Sequence, residues 1–392
     1  MRQSRSLFAA AFSALLMATP INSQAQSEPF TVADGLFCAT DSAALGLTMA
    51  EGTETFTIFH PAEGDNHYNN GAVLTDFKGT LFCMWQTSKK DEDAEDTYVA
   101  YSESHDGGRT WKKPMLLASV TGGYCTSGGW LATNDSLVAY INIWDKKRGK
   151  KQRGEAYCMT TADGETWSKI RPVMMLNGKP MNAIIEQDLH VLPSGRIVGA
   201  AHFMPNLVAS CIYSDSPLGI NGWVKGHLSE SEKPSFATSN AIEPSLFRQK
   251  DGTLVMVFRD QNSSFRKLAS VSHDEGEHWT KPALTVFPDS RSKQSAGNLP
   301  DGTAYFVSNP VGYKQRVPLV LSLSRDTRHF NRAFVLRRGG SQLPPRRYEG
   351  RYKTIGYSYP KTIISGGFIM TSYSTNKEDI EITRVPLSSL KE

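Results

Sequence analysis

"SHDGGRTW", residues 104–111, crowds a serine, an aspartate, two glycines, a threonine and a tryptophan into one short polar stretch. The pattern returns as "SHDEGEHW" at 272–279 and, one residue tighter, as "TTADGETW" at 160–167. Looser versions stand at 213–223 ("YSDSPLGINGW") and 323–330 ("LSRDTRHF"). The aspartates at 106, 163, 215, 274 and 326 are separated by 57, 52, 59 and 52 residues. Recurrence at a nearly constant interval marks a repeat architecture in which each unit is one supersecondary element.

A second signal keeps the same interval. "FKGTL" (77–81), "TNDSL" (133–137), "PSGRI" (193–197), "KDGTL" (250–254), "PDGTA" (300–304) and "SGGFI" (365–369) each join two short apolar runs. Polar turns of this kind between alternating runs are β-hairpins. Helical periodicity is nearly absent, so the chain reads as all-β. A unit of about 50–60 residues that holds four short strands is a propeller blade.

Residues 1–25 carry Arg2 and Arg5, an apolar run from Leu7 to Met17 and small residues before a cut after Ala25. That is the pattern of a secretory leader, and it predicts a secreted or periplasmic protein. Residues 26–392 then form a single propeller domain. Removing 25 residues from 392 leaves 367, and a mean interval of 55 predicts seven blades, with six as the alternative. "TETFTIF" (53–59) and "DIEITRV" (379–385) are expected to close the ring together. No later stretch is apolar for long enough to span a bilayer. The leader takes two arginines with it, so the formal charge falls from +4 to +2. A balance this weak gives no case for nucleic acid or a membrane surface as partner. Five cysteines at non-metal spacings (38, 83, 125, 158 and 211) read as mostly buried thiols with at most one bridge.

The 104–111 stretch resembles the Asp-box motif of sialidase-type propellers, Ser-x-Asp-x-Gly-x-Thr-Trp, at every position. The aspartate is expected to accept backbone N–H bonds, the glycine to take the turn's backbone angle, and the tryptophan to pack between blades. These boxes and the hairpins are assigned to one end of the ring. The other end then collects the segments that enter the innermost strands and leave the second strands. Entering segments are 64–71, 122–129, 181–188, 238–244, 292–298 and 355–361. Leaving segments are 85–93, 143–147, 201–206, 258–264, 308–316 and 373–379. Asn, Gln, Tyr, Lys, Arg and His dominate them, which suits a polyhydroxylated anionic ligand, a monomeric enzyme and no required cofactor, with room for a structural calcium ion in the channel.

Within these segments His202, Arg259, His67 and Tyr359 are the candidate catalytic residues. Arg259 lies 57 residues after His202, one blade further on, and its guanidinium suits a carboxylate. Tyr357 and Tyr359 alternate, so both are expected to face the same way. Asn70, Tyr124, Gln187, His190, Glu243, Lys293, Arg351 and Tyr357 are the candidate substrate-binding residues.

The Arg-Ile-Pro tripeptide of sialidases is missing; Arg196-Ile197-Val198 is the nearest approach, on a hairpin. "GDNHYNNG", "EQDLHVLPSGRIVGAAHF", "FRDQNSSFRKLASVS", "KQSAGNLPDGTAYFVSNP" and "YSYPK" resemble secreted propellers that act on L-rhamnosyl-α-1,4-D-glucuronate caps of arabinogalactan-type glycans. That group contains eliminating lyases and α-L-rhamnosidases, and related propellers degrade ulvan. A histidine-dependent site on the opposite face, proposed for some members, leaves His60, His67 and His190 as counterparts. Between lyase and rhamnosidase, the residues favour a polysaccharide lyase that releases rhamnose and leaves an unsaturated uronate. Elimination needs a cation at the uronate carboxylate (Arg259 with Asn70 or Lys293), a base for the C5 proton (His202 or His67) and an acid for the departing O4 (Tyr359). Hydrolysis needs two carboxyl groups about 5–9.5 Å apart, for which Glu186, Asp188, Glu243 and Asp260 are available. A glycan-binding propeller without catalysis would use the same polar face.

Overall fold

The structure is a computed structural model and describes residues 28–145, 153–186, 189–229 and 241–391. Its described residues contain no α-helix, only two short 3₁₀ turns at Gly340–Gln342 and Leu387–Leu390. The leader and the candidates Gln187 and Asp188 lie outside the described residues.

Six antiparallel sheets make six blades, and each is named here by its innermost strand. Blade 1 starts at Tyr68–Phe77, blade 2 at Gly123–Ala132, blade 3 at Ala183–Ile185, blade 4 at Ala241–Arg248, blade 5 at Ser295–Asn298 and blade 6 at Tyr357–Ser365. In blades 1 to 5 the following strands pair outward in chain order. Blade 6 differs: its outermost strand is Glu54–Phe59, which pairs with Asp379–Pro386. The two chain ends therefore close the ring in one sheet, as expected from 53–59 and 379–385.

Six blades replace the expected seven. The reason is the route of residues 28–60, which build no blade of their own. Phe30 is buried among Phe247, Phe287, Phe306 and Phe330 between blades 4 and 5, and Thr31–Val32 pairs with His329–Phe330. Leu45 continues along blade 5 against Val311 and Val320 before Glu54 enters blade 6. Long connections, such as 338–356 before blade 6, take up the rest of the excess length.

Six apolar clusters fill the six clefts between neighbouring blades, including one between blades 6 and 1 built from Leu74, Leu81, Trp85, Met370, Ile380 and Ile382. Burial of these alternating strand residues is the main favourable term of the fold. The Asp-box aromatics belong to the same clefts. Trp111, Trp167, Trp223, Trp279 and Phe330 each pack against the preceding blade.

The box itself is a closed local network. Ser104 Oγ donates to Asp106 and accepts from the Gly108 N–H, while Asp106 also accepts from the N–H groups of Arg109 and Thr110 and from the Thr110 hydroxyl. These hydrogen bonds, the Thr110 hydroxyl first, hold the Asp106 carboxyl far below the usual carboxylate range. Gly108 sits at φ +87°, and a Cβ there would press on Leu81 and on Ile382 of blade 6. In blade 3 the box is irregular, and Arg196 ties it down instead, reaching Asp215 at 2.8 Å and Glu277 of the next box at 2.9 Å. The Arg196-Ile197-Val198 tripeptide is thus a clamp on the box side of the ring.

Cys83, Cys125, Cys158 and Cys211 are buried free thiols, and Cys38 is an exposed one. No helix is long and apolar enough to cross a membrane among the described residues.

Candidate active site

At the end of the ring away from the boxes lies a central cavity of about 230 Å³. Ligand sites for larger molecules run to roughly 300–1,000 Å³, so this volume suits one sugar ring. Its wall comes from five of the six blades: Asn70, Gln86 and Asp93 from blade 1, Asn142 and Trp144 from blade 2, Glu186 and His202 from blade 3, Glu243 from blade 4, and Tyr359 from blade 6. Lys293 reaches it from the segment that enters blade 5. With few exceptions these residues lie in the entering and leaving segments read from the sequence.

Two charged clusters share this cavity. In the first, Glu243 joins two partners: Tyr359 Oη donates to Oε1 at 2.7 Å, and Arg259 Nη1 donates to Oε2 at 3.0 Å. Burial alone would push the Glu243 carboxyl up, but Arg259, with help from Lys293 and the Tyr359 hydroxyl, brings it down to about 2. The Tyr359 hydroxyl is shifted well above its ordinary value, first by burial and then by the Glu243 charge. At neutral pH the pair is therefore a protonated phenol beside an ionised carboxylate. Arg316, Lys377 and Lys293 stand 5.3, 5.6 and 5.7 Å from the Tyr359 ring centre. Their charges favour any state in which the phenol oxygen becomes negative.

In the second cluster, Glu186 bridges His202 and Lys293. Its Oε1 lies 2.9 Å from His202 Nδ1, oblique to the ring N–H direction, and its Oε2 holds the Lys293 ammonium. Burial opposes the charge on Glu186, but the Lys293 ammonium, the largest opposing influence, keeps the carboxyl ionised. His202 Nε2 accepts the backbone N–H of Glu243 at 3.1 Å.

The blades place these side chains by a shared irregularity. Where an inner strand meets its neighbour, pairing slips between Asn70 and Val73, Ser127 and Gly129, Ile242 and Ser245, and Ser358 and Lys361. A β-bulge of this kind re-aims a side chain. It also corrects the expectation for Tyr357. Alternation fails at the bulge, so Tyr359 turns into the cavity while Tyr357 is buried between blades 5 and 6. There Tyr357 donates to the Arg338 carbonyl and packs edge-on against Tyr373.

The other sequence candidates divide in the same way. Asn70 and Lys293 line the cavity. Arg259 stands behind Glu243 and touches its carboxylate rather than the cavity wall. Tyr124 backs Trp144 in a parallel ring stack. His67 is not part of the cavity wall; its ring is stacked on that of Tyr348 with centroids 3.7 Å apart. Arg351 is an exposed residue whose backbone N–H donates to Asp91. His190 borders a separate depression at the hairpin end, beside Leu192 and Arg248. Asp260 caps its own turn by accepting from the Asn262 and Ser264 N–H groups. Trp144, Asn142 and Asp93 received no role from the sequence, although Trp144 and Asp93 lie within the segments it singled out. Among the described residues no group of three or more His, Cys, Asp or Glu side chains is placed to hold a metal ion.

Residues 79–370 match the model of the BNR repeat-like domain family. The chain belongs to that family. Among solved structures it is similar to a sialidase at 18% identity, with 92% of this chain and 35% of that one covered and a TM-score of 0.64. It is also similar to a Hadza microbial sialidase (15% identity, 86% and 69% covered, TM-score 0.67). The intramolecular trans-sialidase of Ruminococcus gnavus is a third (14% identity, 88% and 100% covered, TM-score 0.63). The chain spans about a third of the first of these sialidases. At such identities the likeness is one of fold: a sialidase-like BNR propeller. No curated protein matches the sequence.

Proposed function

We propose that this BNR propeller is an exported glycosidase of the sialidase type, which removes a terminal acidic sugar from a glycan by hydrolysis. The observation that carries the reading is the Tyr359–Glu243 hydrogen bond at the cavity wall, backed by Arg259. Sialidases are glycosidases that use a tyrosine nucleophile. Here Tyr359 Oη attacks the anomeric carbon while its proton passes to Glu243 Oε1. A phenol is neutral until it attacks, so the nucleophile itself adds no carboxylate charge to repel an anionic sugar. The cations around the ring then stabilise the developing phenolate. The leaving oxygen takes a proton from Asp93 on the blade 1 wall, while the neighbouring Glu92 is held by Lys377 at 2.8 Å. Water releases the sugar from Tyr359 in a second step, in which Asp93 accepts the water's proton and Glu243 returns its proton to the departing phenolate. The fold likeness to sialidases supports this reading, and export is proposed from the leader at 1–25.

Elimination from a rhamnosyl-glucuronate cap, the reaction favoured from the sequence, needs a base with a free lone pair above C5. His202 spends its Nε2 lone pair on the Glu243 N–H, which favours hydrolysis instead. The test incubates the purified chain with 4-methylumbelliferyl glycosides of sialic acid, glucuronic acid and L-rhamnose, and with a rhamnosyl-α-1,4-glucuronate oligosaccharide. Release of an acidic sugar without ultraviolet absorbance from an unsaturated uronate is expected. Rhamnose released together with that absorbance would establish the lyase and overturn the hydrolase.

A further inference from the structure

We propose that His202 is a positioning residue: its neutral imidazole, oriented by Glu186, holds the backbone of Glu243 in a left-handed conformation that aims the carboxylate at Tyr359. The inference rests on the reading above that the Glu243–Tyr359 pair is catalytic.

Of the four inner-strand bulges, two carry glycine in the left-handed region, Gly71 at φ +65° and Gly129 at φ +108°. The other two carry the paired side chains themselves, Glu243 at φ +51° and Tyr359 at φ +56°. A residue with a Cβ is disfavoured there and persists only where its surroundings over-determine it. Glu243 lies inside the register slip of blade 4, so its own N–H and C=O leave the strand ladder. Each finds a side chain from a neighbouring blade. The N–H donates to His202 Nε2 of blade 3, and the C=O accepts from Gln294 Nε2 on the approach to blade 5 at 2.9 Å. Both holders are braced in turn. Gln294 Oε1 accepts from the buried Lys267 ammonium at 2.7 Å, and His202 is braced by Glu186, itself tied to Lys293.

The acceptor role dictates the tautomer. An Nε2 that receives an N–H carries the lone pair, so the ring proton sits on Nδ1, on the side of the ring where Glu186 Oε1 lies 2.9 Å away. The charged groups around the imidazole are Glu186 from blade 3, the Glu243 carboxylate from blade 4 and Lys293 from the approach to blade 5. Protonation of Nε2 would set one donor against another and release the Glu243 backbone. The site then loses its geometry although no catalytic group has changed charge.

The experiment compares His202→Ala, His202→Gln and Glu243→Gln in the full chain. A glutamine side-chain oxygen can take the place of Nε2 as acceptor, but it does not titrate. With the umbelliferyl glycoside that the wild type cleaves, His202→Ala should lower kcat about 100-fold with KM little changed, the scale of a small misplacement of reacting groups. His202→Gln should recover most of that loss. Glutamine as inactive as alanine would make His202 a proton carrier and overturn the proposal. A second readout needs no substrate. In protein labelled with ¹⁵N-glutamate, the one amide signal that disappears in Glu243→Gln should shift in His202→Ala and return toward its wild-type position in His202→Gln. A Glu243 amide indifferent to His202 overturns the proposal whatever the activity. Wild-type turnover in Glu243→Gln would sink the catalytic reading instead and leave the amide result to decide the backbone contact.

Discussion

Glu243→Gln probes the core of the site, because it keeps shape and one acceptor oxygen while removing the charge. The wild-type carboxylate is 8% exposed and accepts from Tyr359 and Arg259. Hydrogen bonds to a charged group contribute about 1.5–3 kcal/mol and neutral ones about 0.5–1.5, so two contacts together lose about 2 kcal/mol. The Arg259 guanidinium is left without its anion in a mostly buried place where its Nε has no partner. Breaking a buried pair from one side costs up to about 3–5 kcal/mol. Asp289 also acts on Arg259 and limits that cost, so the sum should be about 2–4 kcal/mol. In a chain of this size that corresponds to roughly 3–5 °C in melting temperature. Turnover should fall by about 10²–10⁴-fold, since the proton acceptor for Tyr359 is gone. Calorimetry at pH 7 and release of umbelliferone measure the two effects separately. An unchanged melting point together with near-wild-type turnover would refute both the pairing and its role.

Three further outcomes follow from the same geometry. Asp106→Ala removes the acceptor of four hydrogen bonds in an exposed box and should cost about 1–3 kcal/mol, with turnover per folded molecule unchanged; a collapse of turnover at constant melting point would put chemistry on the box face. The Glu243 carboxyl titrates near 2 in the folded chain against an ordinary 4.5, so its stabilisation is complete above about pH 4.5 and is lost as pH falls from there toward 2. The acid fall in melting temperature should accordingly be shallower in Glu243→Gln than in the wild type, and parallel curves would contradict the ionised pair. Deleting residues 28–59 removes the outer strand of blade 6 and should lower and broaden the thermal transition. An unaltered transition would show that the ring closes without that strand.

Much of the site's location was legible because propeller topology sends alternate connections to opposite ends. The segment that contains Glu243 and the one that contains Tyr359 could be assigned to one face from hairpin spacing alone. Their partnership could not. Tyr359 and Glu243 are 116 residues apart, and Lys293 and Glu186 are 107 apart. The alternation argument misjudged Tyr357 because a bulge, which leaves no periodic trace, turns the strand at Ser358–Lys361.

What the sequence determined by itself is the repeating unit. Its signal is local: the Ser104–Asp106–Gly108 network closes within five residues, and each hairpin joins strands that are adjacent in the chain. The tertiary structure decided the number of blades and the pairing of Tyr359 with Glu243. Both depend on contacts between distant segments. The ring closes at six because residues 28–60 pack across blades 4 to 6 and lend them one strand rather than forming a seventh sheet. Glu243 takes its place in the cavity wall because blades 3 and 5 grip its backbone while Arg259 and Tyr359 grip its side chain, an arrangement that exists only once the circle is complete.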